Sequence, residues 1–304
     1  MNAPIETPDV LVLGVGGVLG EAWLSGVLAG ISAASGIDFR ECRAFVGTSA
    51  GSIVAAYLAA GHSPPAAADS SDADSERVDA QRGLAAALVR GAGRASLAAT
   101  LPLAPFLLAA SAPGAALARA AVLSRTPAGN IALDDLRARI ERLGGSFDGR
   151  LQVVAVDRAN GKRVVFGSSD APEAMVGDAV VASCAVPSLM RPVAIGGRTY
   201  VDGGVWSPTN LDVAPVRPGD RVLCLVPTAR IGSGGSPARA LRVAWRSTTA
   251  LEVGALRRRG AAVRVVGPDD ESAAAMGDRL MDPRLRERTV SAGRRQGHRL
   301  AAEP

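Results

Sequence analysis

The chain contains the stretch Ala44-Phe45-Val46-Gly47-Thr48-Ser49-Ala50-Gly51-Ser52-Ile53, from which the rest of the sequence is best interpreted. A short β-prone apolar run enters a Gly-x-Ser-x-Gly element, and an alanine-rich apolar pattern follows to Ala60. This order predicts a strand, a sharp turn and a helix, which together are typical of a nucleophile elbow. Gly47 and Gly51 allow the two backbones to approach closely. From this element alone, an ordinary turn in which Ser49 caps the helix is an equally good interpretation.

A second glycine-rich element follows the first predicted strand, Val10 to Leu13. It is Gly14-Val15-Gly16-Gly17-Val18-Leu19-Gly20, after which apolar residues recur at helical spacing to about Ser35. The start of a helix leaves backbone N–H groups without internal acceptors, and the helix dipole adds a partial positive charge. The loop therefore suits a negatively charged group.

Two negative groups compete for this loop. A dinucleotide pyrophosphate requires Gly-x-Gly-x-x-Gly, but the third glycine would fall at position 19, which is Leu19; Asp38 could serve as the acidic ribose partner. The other candidate is the oxyanion of an acyl-transfer intermediate, for which two adjacent N–H groups suffice. Because the predicted elbow follows on the next strand, we favour the oxyanion.

A nucleophilic serine needs a base, and histidine is the usual one. The sequence has two histidines. His62 lies 13 residues beyond Ser49 on the same predicted helix, about 20 Å away, and His298 lies among arginines. A carboxylate is then the alternative, and Asp202-Gly203-Gly204 after a short predicted strand is the best candidate. Most such tripeptides are simple turns, so this interpretation also stays open here.

The three motifs in this order resemble the patatin-like phospholipases, over roughly 10–61 and 149–215. The resemblance implies a three-layer α/β/α fold with a largely parallel central sheet, a Ser–Asp dyad and no metal or organic cofactor. It implies Ser49 as nucleophile and Asp202 as base, with the backbone of Gly16, Gly17 and Val18 as oxyanion hole. The glycines that support the motifs are Gly14, Gly20, Gly47, Gly51, Gly203 and Gly204. Ala182-Ser183 with Pro187 resembles the family's alanine-serine-proline segment, and Asn210 resembles its asparagine after Asp-Gly-Gly.

The glycine loop departs from the family pattern at two positions. The family usually has Gly-Gly-Gly-x-Arg/Lys-Gly, whereas this chain has Val15 at the first glycine and Leu19 at the basic residue. Any residue other than proline keeps its N–H, so backbone donors survive these changes. Because Leu19 replaces the family's Arg or Lys, this loop has no side-chain cation at that position that could place the substrate or its phosphate.

Composition narrows the choice of partner and compartment. The formal charge is +5 and almost all positive charge is arginine, but no basic run is interleaved with aromatic residues, so we expect no nucleic-acid partner. The three cysteines are widely spaced, which predicts neither a disulfide framework nor a zinc site. With no secretory signal in the sequence, we expect a cytoplasmic protein that can act at the inner face of the membrane.

The pattern of elements predicts one α/β domain over 1–304. Two segments are added to it: a helical cap at about 66–130, which includes an uncharged run interrupted by prolines, and an arginine-rich segment of surface helices at about 268–304. The oligomeric state is not predicted.

The leading functional hypothesis is a lipid acyl hydrolase of phospholipase A, lysophospholipase or carboxylesterase type. Its partners would be a lipid or phospholipid substrate and, transiently, a membrane surface. One alternative is a catalytically weak lipid-binding protein on the same fold, and a less favoured one is an NAD(P)-binding protein.

Overall fold

The computed structural model describes residues 5–64, 115–230 and 236–302. Within them the strands are β1 (Val10–Leu13), β2 (Ala44–Thr48), β3 (Leu151–Asp157), β4 (Arg163–Phe166), β5 (Val193–Ile195), β6 (Arg198–Asp202), β7 (Arg221–Leu225) and β8 (Ala262–Val266). The helices are α1 (Gly17–Ser35), α2 (Ala50–Ala59), α3 (Ala116–Arg125), α4 (Asp134–Glu141), α5 (Val176–Ser183), α6 (Ser236–Arg258), α7 (Asp270–Met276) and α8 (Arg286–Ala302).

The strands form one sheet in the order β5-β6-β3-β2-β1-β7-β8, and β4 pairs with β3 outside this path. The pairs that join β3, β2, β1, β7 and β8 are all parallel, whereas β4, β5 and β6 pair antiparallel with their neighbours. Helices cover both faces of the sheet. The predicted three-layer α/β/α fold with a largely parallel sheet is confirmed.

The pairing along β3 brings two distant parts of the chain together. β2 pairs with positions 151–154 of β3, and β6 pairs with positions 155–157. Both must lie on the same edge, because β4 occupies the other edge over 153–156. Since β2 is parallel to β3 and β6 is antiparallel, their carboxyl ends meet head to head. Residues that follow Thr48 and residues at Asp202 therefore lie at one point of the sheet.

Alternation along β1 divides the core between the two faces. Leu11 and Leu13 pack into the larger apolar cluster, to which α1, α2, α4 and α5 contribute. Val10 and Val12 pack into a smaller cluster on the opposite face, where α6 contributes Leu256. A third small cluster places Leu123 of α3 against β3 and β6.

The helices α1 and α8 cross in very close contact through small residues. A Cβ at Gly30 would lie 2.1 Å from the carbonyl oxygen of Arg294, and one at Gly297 would lie 2.3 Å from that of Val27. α1 is long and apolar enough to cross a membrane by length and composition, but it is mostly buried inside this protein.

The predicted cap and the arginine-rich C-terminal segment differ in how many of their residues the structure describes. The predicted cap at about 66–130 falls mostly outside the described residues, which include its end from residue 115. In the C-terminal segment, α8 exposes its arginines on one face and buries the other face on α1. That face is made of residues such as Ala292, Gly293 and Gly297, which give almost no hydrophobic periodicity to detect.

Candidate active site

Ser49 lies at the tip of the turn between β2 and α2 in a strained backbone conformation. Its φ is 53° and its ψ is −123°, a region that residues other than glycine rarely adopt. The turn is walled by backbone: a Cβ at Gly51 would lie 2.0 Å from the carbonyl oxygen of Leu13, and one at Gly47 would lie 2.4 Å from Ser52 Cα. Both positions therefore require glycine, because any side chain would clash with the backbone.

Asp202 ends β6 and lies beside Ser49, as the head-to-head meeting of β2 and β6 requires. The Ser49 hydroxyl lies close enough to its carboxylate to lower the pKa of Asp202, and the Gly204 N–H donates a hydrogen bond to Asp202 Oδ1 at 2.7 Å. Both side chains are buried. Burial raises the pKa of Asp202 to about 6, and the hydrogen bonds from Gly204 and Ser49 lower it in part.

One short segment after α5 holds both turns. The Ser49 N–H donates to Ser183 Oγ at 2.8 Å, and the Ser183 hydroxyl donates to the Val154 carbonyl at 2.6 Å. Two residues later, the Ala185 carbonyl accepts the Asp202 N–H at 3.0 Å. The Ala182-Ser183 resemblance noted from the sequence thus falls on a segment that fixes the separation of Ser49 and Asp202.

The glycine-rich loop lies next to these two turns. The Val15 N–H donates to the Pro208 carbonyl at 2.9 Å, which ties the loop to the segment after Asp202. At the other end, a Cβ at Gly20 would lie 3.7 Å from Ala50 Cβ, at the start of α2. Gly14 also lies close to Pro208, because a Cβ there would be 2.8 Å from its carbonyl oxygen.

Three consecutive amides of this loop have no acceptor among the described residues. The Val15 N–H is taken by Pro208, and the Leu19 N–H donates to the Leu280 carbonyl at 2.9 Å. Between them, the N–H groups of Gly16, Gly17 and Val18 make no hydrogen bond in the described part of the chain. Gly17 has a φ of 60°, and its Cα lies under Met281, whose sulfur would be 2.6 Å from a Cβ.

A buried polar network supports the Asp202 turn from behind. Asn210 has a left-handed backbone (φ 49°), and its side-chain amide donates to Thr48 Oγ1 at 3.1 Å and to the Gly203 carbonyl at 3.3 Å. It therefore links the end of β2 to the residue after Asp202.

Glu252 of α6 completes the network, and sequence analysis missed it. Its Oε2 accepts the Thr209 hydroxyl and, at 2.9 Å, the Leu211 N–H. Burial, with the nearby Asp212 carboxylate, raises the pKa of Glu252 above its ordinary value. The one available signal is that Glu252 is the single acidic residue in a segment that otherwise carries only arginine as charge.

The other candidates from the sequence lie elsewhere. His62 follows the far end of α2, and both it and His298 are exposed. Asp38, which the dinucleotide interpretation would use, pairs with Arg40 at 2.7 Å. The three cysteines are free and buried. In the described ranges, no three His, Cys, Asp or Glu side chains are grouped so that they could hold a metal ion.

Comparison with family models gives a match to patatin-like phospholipase over residues 11–215, more than half of the chain. This chain belongs to the patatin-like phospholipase family. The resemblance stated from the motifs is confirmed, and membership supports lipid hydrolase activity. The match to the patatin-like phospholipase model ends shortly after Asn210 and leaves β7, α6, β8, α7 and α8 outside it.

Solved structures and curated proteins were compared as well. VipD from Legionella pneumophila is similar at 15% identity and a TM-score of 0.42, covering 98% of this chain and 67% of that chain. The type III effector protein ExoU is similar at 18% identity and a TM-score of 0.36, covering 97% of this chain and 54% of that chain. This chain thus spans about two thirds of the first and about half of the second. No curated protein matches it.

Proposed function

We propose that the protein is a serine hydrolase of lipid acyl esters, of phospholipase A, lysophospholipase or carboxylesterase type, with Ser49 and Asp202 as its catalytic dyad. The observation that carries this proposal is the meeting of two buried residues, Ser49 and Asp202, where the carboxyl ends of β2 and β6 come together on β3. A raised pKa makes this carboxylate a stronger base than an exposed one.

In the first half-reaction, Ser49 Oγ attacks the carbonyl carbon of the ester while its proton passes to Asp202. The tetrahedral intermediate carries a negative oxygen, which the free N–H groups of Gly16, Gly17 and Val18 would bind. Collapse of the intermediate breaks the bond to the alcohol, which leaves with the proton from Asp202. The acyl group stays on Ser49.

In the second half-reaction, a water molecule attacks the acyl carbon and gives a proton to Asp202. The same amides would bind the second oxyanion, and the fatty acid leaves as Ser49 recovers its proton. Each half-reaction needs only one base, so no histidine is required. Nothing in the sequence calls for a metal or an organic cofactor in this scheme.

The departures from the family's glycine loop do not favour the catalytically weak alternative. The amides of Val15 and Leu19 are both used inside the protein, so the side-chain changes at these positions leave the three free amides in place. The family match supports an acyl hydrolase over an NAD(P)-binding protein. We further propose that the protein acts in the cytoplasm at a membrane surface, where such substrates are found.

The proposal is tested by incubating the purified chain with phosphatidylcholine, with lysophosphatidylcholine and with a short-chain nitrophenyl ester, and measuring the released acid by mass spectrometry. We expect fatty acid from at least one substrate, and none above background from Ser49→Ala. Equal release by wild type and Ser49→Ala would contradict the assignment of the nucleophile.

A further inference from the structure

The helix α6 extends beyond the sheet on the side of the candidate active site. β7 ends at Leu225, whose carbonyl accepts the Gly14 N–H at the start of the glycine loop. The chain then returns along α6 to β8, which pairs in parallel with β7, so α6 runs antiparallel to both strands. α6 has 23 residues and β7 has 5. Their lengths are about 34 Å and about 17 Å, so α6 overhangs the strands.

The C-terminal half of α6 is fixed to the protein, which gives the direction of the overhang. Leu256 is fully buried in the apolar cluster under the sheet. Four residues earlier, Glu252 binds Thr209 and Leu211, just after the Asp202 turn. The residues of α6 that precede Glu252 therefore extend toward the carboxyl ends of the strands, where the Asp202 turn lies.

The outward face of α6 carries apolar side chains in water. Val243 is 57% exposed and Leu251 is 65% exposed. At 3.6 residues per turn, these two residues share an outward sector about 100° wide with Ser247, Ala250 and Gly254. The opposite sector holds the buried Glu252 and Leu256.

The charge of α6 is almost entirely positive. The helix contains five arginines and one acidic residue, Glu252, which is turned inward. Arg246 and Arg257 border the outward apolar sector, and both are exposed. An amphipathic helix with arginine beside exposed apolar residues is suited to the interface of an anionic bilayer, where the apolar side chains enter the acyl region and arginine binds lipid phosphate.

We propose that the outward face of α6 docks the protein on an anionic lipid membrane. Exposed apolar side chains bordered by arginine favour an anionic bilayer over a protein partner. The biological purpose of docking, to bring the protein to its lipid substrate, rests on the proposed function. Docking itself is a separate physical property.

Vesicle sedimentation of the full chain tests the docking. The probes are vesicles of phosphatidylcholine alone and of phosphatidylcholine mixed with phosphatidylserine. We expect binding to the mixed vesicles that weakens with added salt. Arg246→Gln with Arg257→Gln should weaken it by about fivefold per arginine removed. Val243→Ser with Leu251→Ser should weaken it by about tenfold or more.

Matched controls come from the opposite face of the sheet. Met175 is 60% exposed at the start of α5, and Arg142 is exposed at the end of α4. Met175→Ser with Arg142→Gln removes one exposed apolar side chain and one exposed charge, matched to Leu251→Ser with Arg246→Gln, and should leave vesicle binding unchanged. All variants should keep the wild-type rate on a soluble short-chain ester, since none of the six positions touches Ser49 or Asp202.

The outcomes separate docking from catalysis. Binding that is lost equally in the controls, or kept in the α6 variants, would overturn the docking surface even if esters are cleaved. A change of oligomeric state in the α6 variants, seen by light scattering without loss of vesicle binding, would assign the face to a second copy of the chain instead. Vesicle binding without any ester hydrolysis would leave docking standing and remove the proposed function.

Discussion

The two turns that meet at the candidate active site are held in different ways. The Ser49 turn has a strained backbone, and a Cβ at either of its glycines, Gly47 or Gly51, would collide with backbone atoms. The Asp202 turn has an ordinary φ of −48°. Of its two glycines, Gly203 lies against backbone, since a Cβ there would be 2.4 Å from the Val154 carbonyl oxygen, whereas Gly204 lies against side chains. Each turn also makes a hydrogen bond with a distant side chain, the Ser49 turn with Ser183 and the Asp202 turn with Asn210. The turns therefore differ in backbone strain and in how much room their glycines leave.

The largest effect should come from Asp202→Asn, which changes the chemistry while preserving both turns. An asparagine oxygen can still accept the Gly204 N–H, but an amide cannot accept the proton of Ser49. We expect the kcat on a soluble ester to fall about 10³-fold, within the usual contribution of a general base. Asp178→Asn, at a partly exposed ion pair with Arg137, is the control and should retain full activity. Near wild-type kcat in Asp202→Asn would remove Asp202 as the base.

The second prediction compares a glycine in each turn. A Cβ at Gly51 would collide with the Leu13 carbonyl, whereas a Cβ at Gly204 would lie 2.9 Å from a Val15 methyl and 3.0 Å from Asp202 Oδ1. The backbone cannot move away as a side chain can. We expect Gly51→Ala to lower the free energy of unfolding by about 3 kcal/mol or more.

For Gly204→Ala, we expect a smaller loss of stability, with a clear loss of activity as the Asp202 carboxylate is displaced. Denaturant unfolding and ester turnover measured on both variants check the contrast. If Gly204→Ala proved the less stable of the two, the distinction between a glycine packed on backbone and one packed on side chains would be wrong.

The third prediction concerns the support from α6. Glu252→Ala leaves the Thr209 hydroxyl and the Leu211 N–H without their acceptor, which should cost about 1–3 kcal/mol of stability. Because the Asp202 turn would loosen, we expect kcat to fall about tenfold with little change in KM. Glu252→Gln keeps one oxygen acceptor and should restore most of the loss. An equal defect in both variants would argue against this role for the carboxylate oxygen.

The smallest effect, and the most specific to Asp202, is on pH dependence. Asp202 accepts a proton only when ionised, so kcat/KM on a neutral ester should rise with pH through a pKa of about 6. Since the folded-state pKa is raised, Asp202 stabilises the fold fully below its unfolded pKa, and this contribution is lost as pH rises through about 6. Loss of activity at pH 5 would therefore not reflect unfolding caused by this group.

The pKa of Asp202 can also be measured in the Ser49→Ala variant. Ser49→Ala removes a hydrogen bond that lowers the pKa of Asp202, so the pKa should move above about 6 in that variant. Carbon NMR of labelled aspartate checks the shift directly. An unchanged or lower value would mean that the two side chains are not hydrogen-bonded.

The sequence predicts the Ser49 turn well because all the residues that form it are contiguous. Gly47, Ser49 and Gly51 stand within five residues, and the strand and helix on either side are visible as apolar runs. The three-layer fold could be predicted for the same reason. Asp202 was found by elimination of the histidines and by the family resemblance, not from its surroundings.

The rest depends on contacts that no local pattern encodes. Glu252 binds the Asp202 turn from 41 residues beyond Leu211, and α8 packs on α1 through glycines that resemble any surface small residue. Likewise, the head-to-head meeting of β2 and β6 follows from strand register on β3, which the apolar pattern does not specify. The predicted domain limits and the roles of the site residues remain predictions.

The central claim, that Ser49 is a nucleophile activated by Asp202, is tested most directly by covalent labelling. Purified wild type, Ser49→Ala and Asp202→Asn are incubated with a long-chain fluorophosphonate, and intact mass is followed over time. We predict one adduct on wild type, none on Ser49→Ala and a much slower adduct on Asp202→Asn. An adduct that forms on folded Ser49→Ala at the wild-type rate, or equal rates for wild type and Asp202→Asn, would contradict the claim.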